Sequence, residues 1–143
     1  MNTNPAAEAR VKVLVVDDET AILFTLKRIL EYSGYEVHTA SSGREGLSAF
    51  QQGQWDLVTL DRSMPEMNGE EVAAEMRRIA PHVPLILITG FPNAVLRPAL
   101  FDTVLGKPFR PQELLQCFTE ALVRRAKGAG QSPPFRMAGC GCG

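Results

Sequence analysis

The chain has 143 residues, 45% hydrophobic, 22% charged and 7% aromatic, with 15 Lys+Arg against 16 Asp+Glu. That balance lacks the basic excess that phosphate-backbone contacts need, so no nucleic acid partner is expected, and a chain of this size buries a core without disulfide or zinc staples. No apolar run approaches the ~18 residues of a membrane span, and the opening MNTNPAAEAR lacks the apolar centre of a secretory signal, so a soluble, cytoplasmic protein with no membrane partner is expected.

VKVLVV at 11–16 is a Val-rich run that stops at Asp17, Asp18 and Glu19, which predicts a buried strand ending in carboxylates. From Thr20 the period becomes helical: Ile22, Leu26, Ile29 and Leu30 share a face, with Thr20 or Asp18 as N-cap and Gly34 as stop. YEVHT at 35–39 predicts a second short strand, and 43–52 a second helix carrying Leu47 and Phe50. WDLVTL at 55–60 starts a third strand at Trp55, assigned to the core, and runs into Asp61; the RSMPEMNG that follows has the Pro and Gly of a structured loop. A helix from Glu70 to Ile79 is stopped by Pro81, and VPLILIT at 83–89 is a fourth buried strand closing on Thr89. GFPNAVLRPAL at 90–100 carries two prolines and has room for little more than about two helical turns. TVLGKPF at 103–109 predicts a short strand ending at Lys107. The last helix starts with Pro111 at its first position and buries Leu114, Phe118 and Leu122, with Cys117 among its packing residues.

Strand and helix alternate throughout, with nearly continuous apolar strands, which predicts an α/β fold: a parallel sheet covered by helices on both faces. Such sheets take their ligands at the carboxyl ends of the strands. Here those ends carry Asp17 and Asp18, Asp61, Thr89 and Lys107. Converging carboxylates repel, by about 4 kcal/mol for a pair at ~4 Å in an effective dielectric of about 20, so a cation belongs among them. Oxygen donors with no His/Cys set at these ends favour Mg2+ over zinc. A dication, an ammonium and a hydroxyl around one carboxylate suit phosphoryl transfer onto it, with Asp61 as the nucleophile.

VLVVDDE (13–19), DLVTLDRSMPEMNG (56–69), LILITG (85–90) and GKPF (106–109) resemble, in order, the four signature blocks of response regulator receiver domains, over about residues 11–125. The resemblance implies a flavodoxin-like (βα)5 fold, a doubly wound five-stranded parallel sheet in order 2-1-3-4-5. Its fourth helix should be short or irregular, because the interval from Thr89 to Lys107 is about a helical turn shorter than usual and is broken by Pro92 and Pro98. In function it implies a two-component phosphorelay: Mg2+-dependent transfer of a phosphoryl group from a histidine kinase or histidine phosphotransfer protein to Asp61, then hydrolysis. The domain would thus catalyse its own phosphorylation and dephosphorylation without being an enzyme in the ordinary sense. Asp18, Asp61 and the Ser63 backbone carbonyl would ligate the metal with Asp17 assisting, and Lys107 and Thr89 would hold the phosphoryl oxygens. Val104 stands where many receivers carry a Tyr or Phe that reorients with phosphorylation, so that coupling cannot work unchanged. Phe91 and Ser63 occupy positions that tune hydrolysis in the family, and the bulk of Phe91 suggests slow loss of the phosphoryl group.

The expected organisation is a flexible N-terminal segment at 1–10, a receiver domain at 11–126 and a flexible Gly/Pro-rich tail at 127–143. That tail is too short for a winged helix, an ATPase or a cyclase, so a stand-alone receiver, or one cut from a hybrid kinase, is expected to signal to an unknown protein target through protein contacts. Cys140 and Cys142 in the closing GCGCG lack further ligands and make a weak metal site. His38 and His82 are assigned structural roles. The alternative is a phosphorylation-independent interaction module that keeps the fold and most of the pocket. A hydrolase of the haloacid dehalogenase type would need a second Asp where Ser63 stands.

Overall fold

A computed structural model describes residues 10–127 and 136–138. In chain order the elements are β1 (Lys12–Val16), α1 (Thr20–Tyr32), β2 (Glu36–Ala40), α2 (Gly43–Gln52), β3 (Leu57–Asp61), α3 (Gly69–Ile79), β4 (Leu85–Thr89), β5 (Thr103–Gly106), α4 (Pro111–Lys127) and β6 (Arg136–Ala138). Every strand pair is parallel and the order is β2-β1-β3-β4-β5-β6. The expected five-strand order is present and is extended by one strand. Arg136–Ala138, inside the segment expected to be a flexible tail, pairs with Thr103–Leu105. The other tail residues past Lys127, Cys140 and Cys142 included, and residues 1–9 lie outside the described residues.

Where a short or irregular fourth helix was expected, no α-helix forms. Two 3-10 turns, Pro92–Ala94 and Pro98–Leu100, connect β4 to β5 instead. Each turn opens on a proline, whose fixed φ suits a first turn; Pro98, lacking an N–H, prevents the first turn from propagating through the second.

The two-residue period of a strand divides its side chains between two cores. Leu14, Val16, Val58, Leu60, Leu85, Leu87 and Val104 pack with Phe50 of α2 and Val72, Ala73 and Met76 of α3. Val13, Val15, Leu57, Ile86, Ile88 and Leu105 pack on the other face with Leu23, Leu26 and Leu30 of α1 and Leu114, Cys117, Phe118 and Ala121 of α4. Burial on both faces is why the strands read as unbroken apolar runs.

Local signals hold with some shifts. Leu23 joins the buried stripe of α1, while Ile22 and Ile29 pack at its edge. Neither Thr20 nor Asp18 caps α1: the N-cap is Glu19, without a side-chain cap bond. Gly34 does end it, at φ 98°, with the Tyr35 N–H donating to the Leu30 carbonyl at 3.0 Å. Asn68 caps α3 in a reciprocal capping box with Glu71. Trp55 packs against the core of the first face, as expected, but lies outside the strand it was expected to start. It lies ahead of β3, half-buried at the amino edge of the sheet, with Lys12 Nζ 5.1 Å from its ring centroid and its Nε1–H on the Ala49 carbonyl at 3.2 Å.

Candidate functional site at the carboxyl edge of the sheet

The chain winds from β1 outward to β2, then returns to β3 and winds the other way, which leaves a crevice between β1 and β3 at their carboxyl ends. Val16 pairs with Leu60, so Asp17 and Asp61 come level on adjacent strands. Oxygens of Asp17, Asp18 and Asp61 all lie within 4.8 Å of one another. Asp17 is 1% and Asp61 5% exposed; Asp18 is the more open of the three. Lys107, just past β5, reaches in to place Nζ 2.9 Å from Asp61 Oδ1. Its amide donates to the Thr89 carbonyl at 2.8 Å, and the peptide bond to Pro108 is cis.

Burial sets the electrostatics. Desolvation pushes Asp17 from 3.8 up to about 6; Asp61 and Asp18 add to the rise, while the Glu19 N–H, donating to Asp17 Oδ1 at 2.9 Å, and Lys107 oppose it. Asp61 is also raised by burial, against the hydrogen bond and charge of Lys107. Lys107 is raised in turn, because the carboxylates of Asp61 and Asp17 outweigh its own desolvation. Three carboxylates therefore face one ammonium, two of them almost out of water. A small hard dication that keeps some of its waters fits this all-oxygen set.

The loop after Asp61 is shaped by local constraints. Glu66 holds φ 69° and the Met67 N–H reaches the Pro65 carbonyl at 2.7 Å, a tight three-residue turn. Met64 is buried under it and Ser63 is exposed. Gly69 brings α3 so close that a Cβ there would sit 2.6 Å from the Asp61 carbonyl oxygen.

Of the residues singled out in the sequence, the fold brings Asp17, Asp18, Asp61 and Lys107 together. Thr89 ends β4 at the same edge, 3% exposed, with Oγ1 accepting from the Phe91 N–H at 3.0 Å. Val104 and Phe91 do not join the cluster. Val104 is buried opposite Leu87 in the core, and Phe91 is 72% exposed.

One pair escaped sequence reasoning. Glu70 and Arg62 form a half-buried ion pair at 2.9 Å that grips the β4–β5 connection. In the sequence Glu70 is only an acid favouring a helix start, and Arg62 only a polar loop residue.

A doubly wound parallel sheet whose switch point gathers three carboxylates and a lysine defines an α/β domain of flavodoxin-like topology with an acidic site at its carboxyl edge. The chain belongs to the response regulator receiver domain family, whose model matches residues 13–119. It is a receiver domain of two-component systems. Response regulator MprA of Mycolicibacterium vanbaalenii is 37% identical over 129 residues, which cover 85% of this chain and 55% of that protein. This chain thus spans about half the length of the curated relatives it matches. Among solved structures, response regulator TrrA of Thermotoga maritima in complex with Mg2+ and BeF superposes with a TM-score of 0.74 at 37% identity, covering 78% of this chain and 99% of that one. TrrA in complex with histidine kinase ThkA gives 0.73 at the same 37% identity, over 78% and 98% of the two chains. No helix among the described residues is long and apolar enough to cross a membrane.

Proposed function

We propose that this receiver takes a phosphoryl group on Asp61 and signals from the cytoplasm through protein contacts. The observation that carries it is the buried Asp61 carboxylate, held at 2.9 Å by Lys107 and flanked by Asp17 and Asp18 within 4.8 Å. The donor is a phosphohistidine of a histidine kinase or phosphotransfer protein, a partner class supported by the TrrA–ThkA complex. Asp61 attacks phosphorus through a side-chain oxygen; the P–N bond breaks, and the imidazole keeps the electron pair and picks up a proton. Lys107 orients Asp61 beforehand and then neutralises the phosphoryl oxygens. Thr89, 3% exposed at the same edge, turns its hydroxyl proton to one of those oxygens.

Mg2+ would be held by Asp18, Asp61 and the Ser63 carbonyl, with Asp17 assisting, and when bound it supplies charge neutralisation to the transferring oxygens. The donor set fits it, and the TrrA structure was determined with Mg2+ and BeF. Phe91 and Ser63 tune access of water to the acyl phosphate, and Val104 leaves the domain without an aromatic switch in β5.

Incubation with Mg2+ and acetyl phosphate, followed by intact-protein mass measurement, tests the proposal. A single phosphoryl adduct is expected on the wild type, absent from Asp61→Asn and absent without Mg2+. An adduct that survives in Asp61→Asn moves the acceptor elsewhere. No adduct on a folded protein that also ignores beryllofluoride would leave the phosphorylation-independent interaction module as the function.

A further inference from the structure

The β4–β5 connection has very little hydrogen bonding of its own. Its two turns close with Ala94 N–H on the Phe91 carbonyl at 3.0 Å, Val95 on Pro92 at 3.4 Å, Leu100 on Arg97 at 3.1 Å and Phe101 on Pro98 at 3.0 Å. An α-helix would continue its ladder through Leu96 and Arg97. Here those two amides, at the joint between the turns, go to one buried side chain. Glu70, 5% exposed, accepts from the Leu96 and Arg97 N–H groups at 2.7 Å each through Oε2. Its other oxygen accepts from Arg62 Nε at 2.9 Å, and Arg62 Nη2 donates to the Ala94 carbonyl at 3.1 Å.

Both ends of this clamp run into the Asp61 site. Arg62 follows Asp61 in the chain, and its backbone is fixed on two sides: its N–H lies on the Ile88 carbonyl at 3.0 Å and its carbonyl accepts from Gly69 N–H at 3.0 Å. On the other side the segment begins at Phe91, whose N–H is held by Thr89 Oγ1 at 3.0 Å. A Thr89 hydroxyl that turns toward a phosphoryl oxygen loosens this first tether. The next side-chain tether along the segment is Arg62 on the Ala94 carbonyl and the one after it is Glu70 on the Leu96 amide, five residues past Phe91, so both members of the ion pair lie close downstream of that first tether. Val104, apolar and fully buried, offers no alternative route through β5.

We infer that Arg62 and Glu70 are positioning residues that couple the Asp61 site to the 91–100 segment, their grip on the Leu96 and Arg97 amides changing when Asp61 carries a phosphoryl group. The inference rests on Asp61 being the phosphoacceptor. The surface so controlled carries the exposed side chains of Phe91 and Leu96, 72% and 81% exposed. A purely structural clamp would hold the segment equally in both states; a coupling clamp obeys reciprocity, so breaking it also changes what the site binds.

The test is residue-resolved amide exchange of Leu96 and Arg97 in the wild type, Glu70→Gln and Arg62→Gln, with Mg2+ alone and with Mg2+ plus beryllofluoride. Binding at the site is read separately from the Gly90 and Lys107 resonances. In the wild type, beryllofluoride is expected to change exchange at both amides. In Glu70→Gln both amides exchange faster from the start and no longer respond, while the Gly90 and Lys107 resonances still report binding, with an affinity altered about fivefold or more. Arg62→Gln, which leaves Glu70 its two amides, should shift the affinity in the same sense, and it answers the question if Glu70→Gln does not fold. Binding that leaves wild-type Leu96 and Arg97 unchanged overturns the coupling alone, as does a folded variant that keeps the wild-type response and affinity. A wild type that binds no beryllofluoride overturns the phosphoacceptor role, and the coupling falls with it.

Discussion

One added methyl, placed at three glycines, separates close approach from backbone conformation. At Gly69, the first residue of α3, a Cβ would lie 2.6 Å from the Asp61 carbonyl oxygen, 2.9 Å from Leu87 Cδ1 and 3.1 Å from Arg62 Cα. Two of these neighbours are backbone, so relief requires α3 or the end of β3 to shift. Overpacking of this kind costs about 1–3 kcal/mol, whereas the helix gains at most ~1 kcal/mol when Gly becomes Ala. Steric cost wins, and Gly69→Ala should lose ~1–2 kcal/mol, with the displacement falling on the peptide of Asp61 itself. Gly90 has nothing within 4 Å of the same position and no left-handed φ. Gly90→Ala should therefore be neutral or stabilise by up to ~1 kcal/mol, through the freedom it removes from the unfolded chain. Gly34 is equally open but sits at φ 98°, so Gly34→Ala should lose about 1–2 kcal/mol from backbone strain alone. Urea midpoints at unchanged m would rank the variants, and Mg2+-dependent beryllofluoride binding should suffer in Gly69→Ala but not in Gly34→Ala. A Gly69→Ala protein as stable as Gly90→Ala, or one with full beryllofluoride affinity, would refute the argument that α3 is packed against the acceptor strand.

The raised Asp17 gives a pH dependence with a definite sign. Its folded pKa of about 6 exceeds 3.8, so its stabilising contribution is full below pH 3.8 and is lost as pH rises through about 6. In chelator, the wild type should gain on the order of 1 kcal/mol relative to Asp17→Asn between pH 7 and pH 5 in chemical denaturation. Excess Mg2+ should reverse the trend, because metal and proton compete for the same oxygens. A metal-free difference that stays flat or changes the other way contradicts the assignment. Phe91→Ala truncates a ring that is 72% exposed, so stability should stay within about 0.5 kcal/mol while loss of the phosphoryl group speeds several-fold. An unchanged dephosphorylation rate would remove Phe91 as a gate for water.

Much of the site was legible because it lies at strand ends. Asp17, Asp18, Asp61, Thr89 and Lys107 each terminate or follow an apolar run, and a parallel sheet turns that shared position into proximity, as the pairing of Val16 with Leu60 and of Thr89 with Gly106 bears out. Misplacements were local. Trp55 adjoins an apolar run and does pack against the core, yet the ladder begins only at Leu57, and its large ring with one polar edge settles half-buried at the sheet margin with Lys12. For α1, alternative caps two residues apart differ little in sequence, and the Asp17 carboxylate took the Glu19 amide from inside the site.

Sequence alone determined the five strands β1 to β5, the α/β class, the acidic crevice and the absence of room for a fourth full helix, because these depend on local period, on proline, and on one register rule applied to each of those strands. Tertiary structure alone decided what replaces that helix. Glu70 meets the Leu96 amide across 26 residues and Arg62 meets the Ala94 carbonyl across 32. No periodicity links such positions, since their meeting depends on the path of an irregular segment over α3. The parallel pairing of Arg136–Ala138 with β5 is of the same kind: nothing in a Gly/Pro-rich run announces a strand, and the open edge of β5 supplies the hydrogen-bonding partners that make it one.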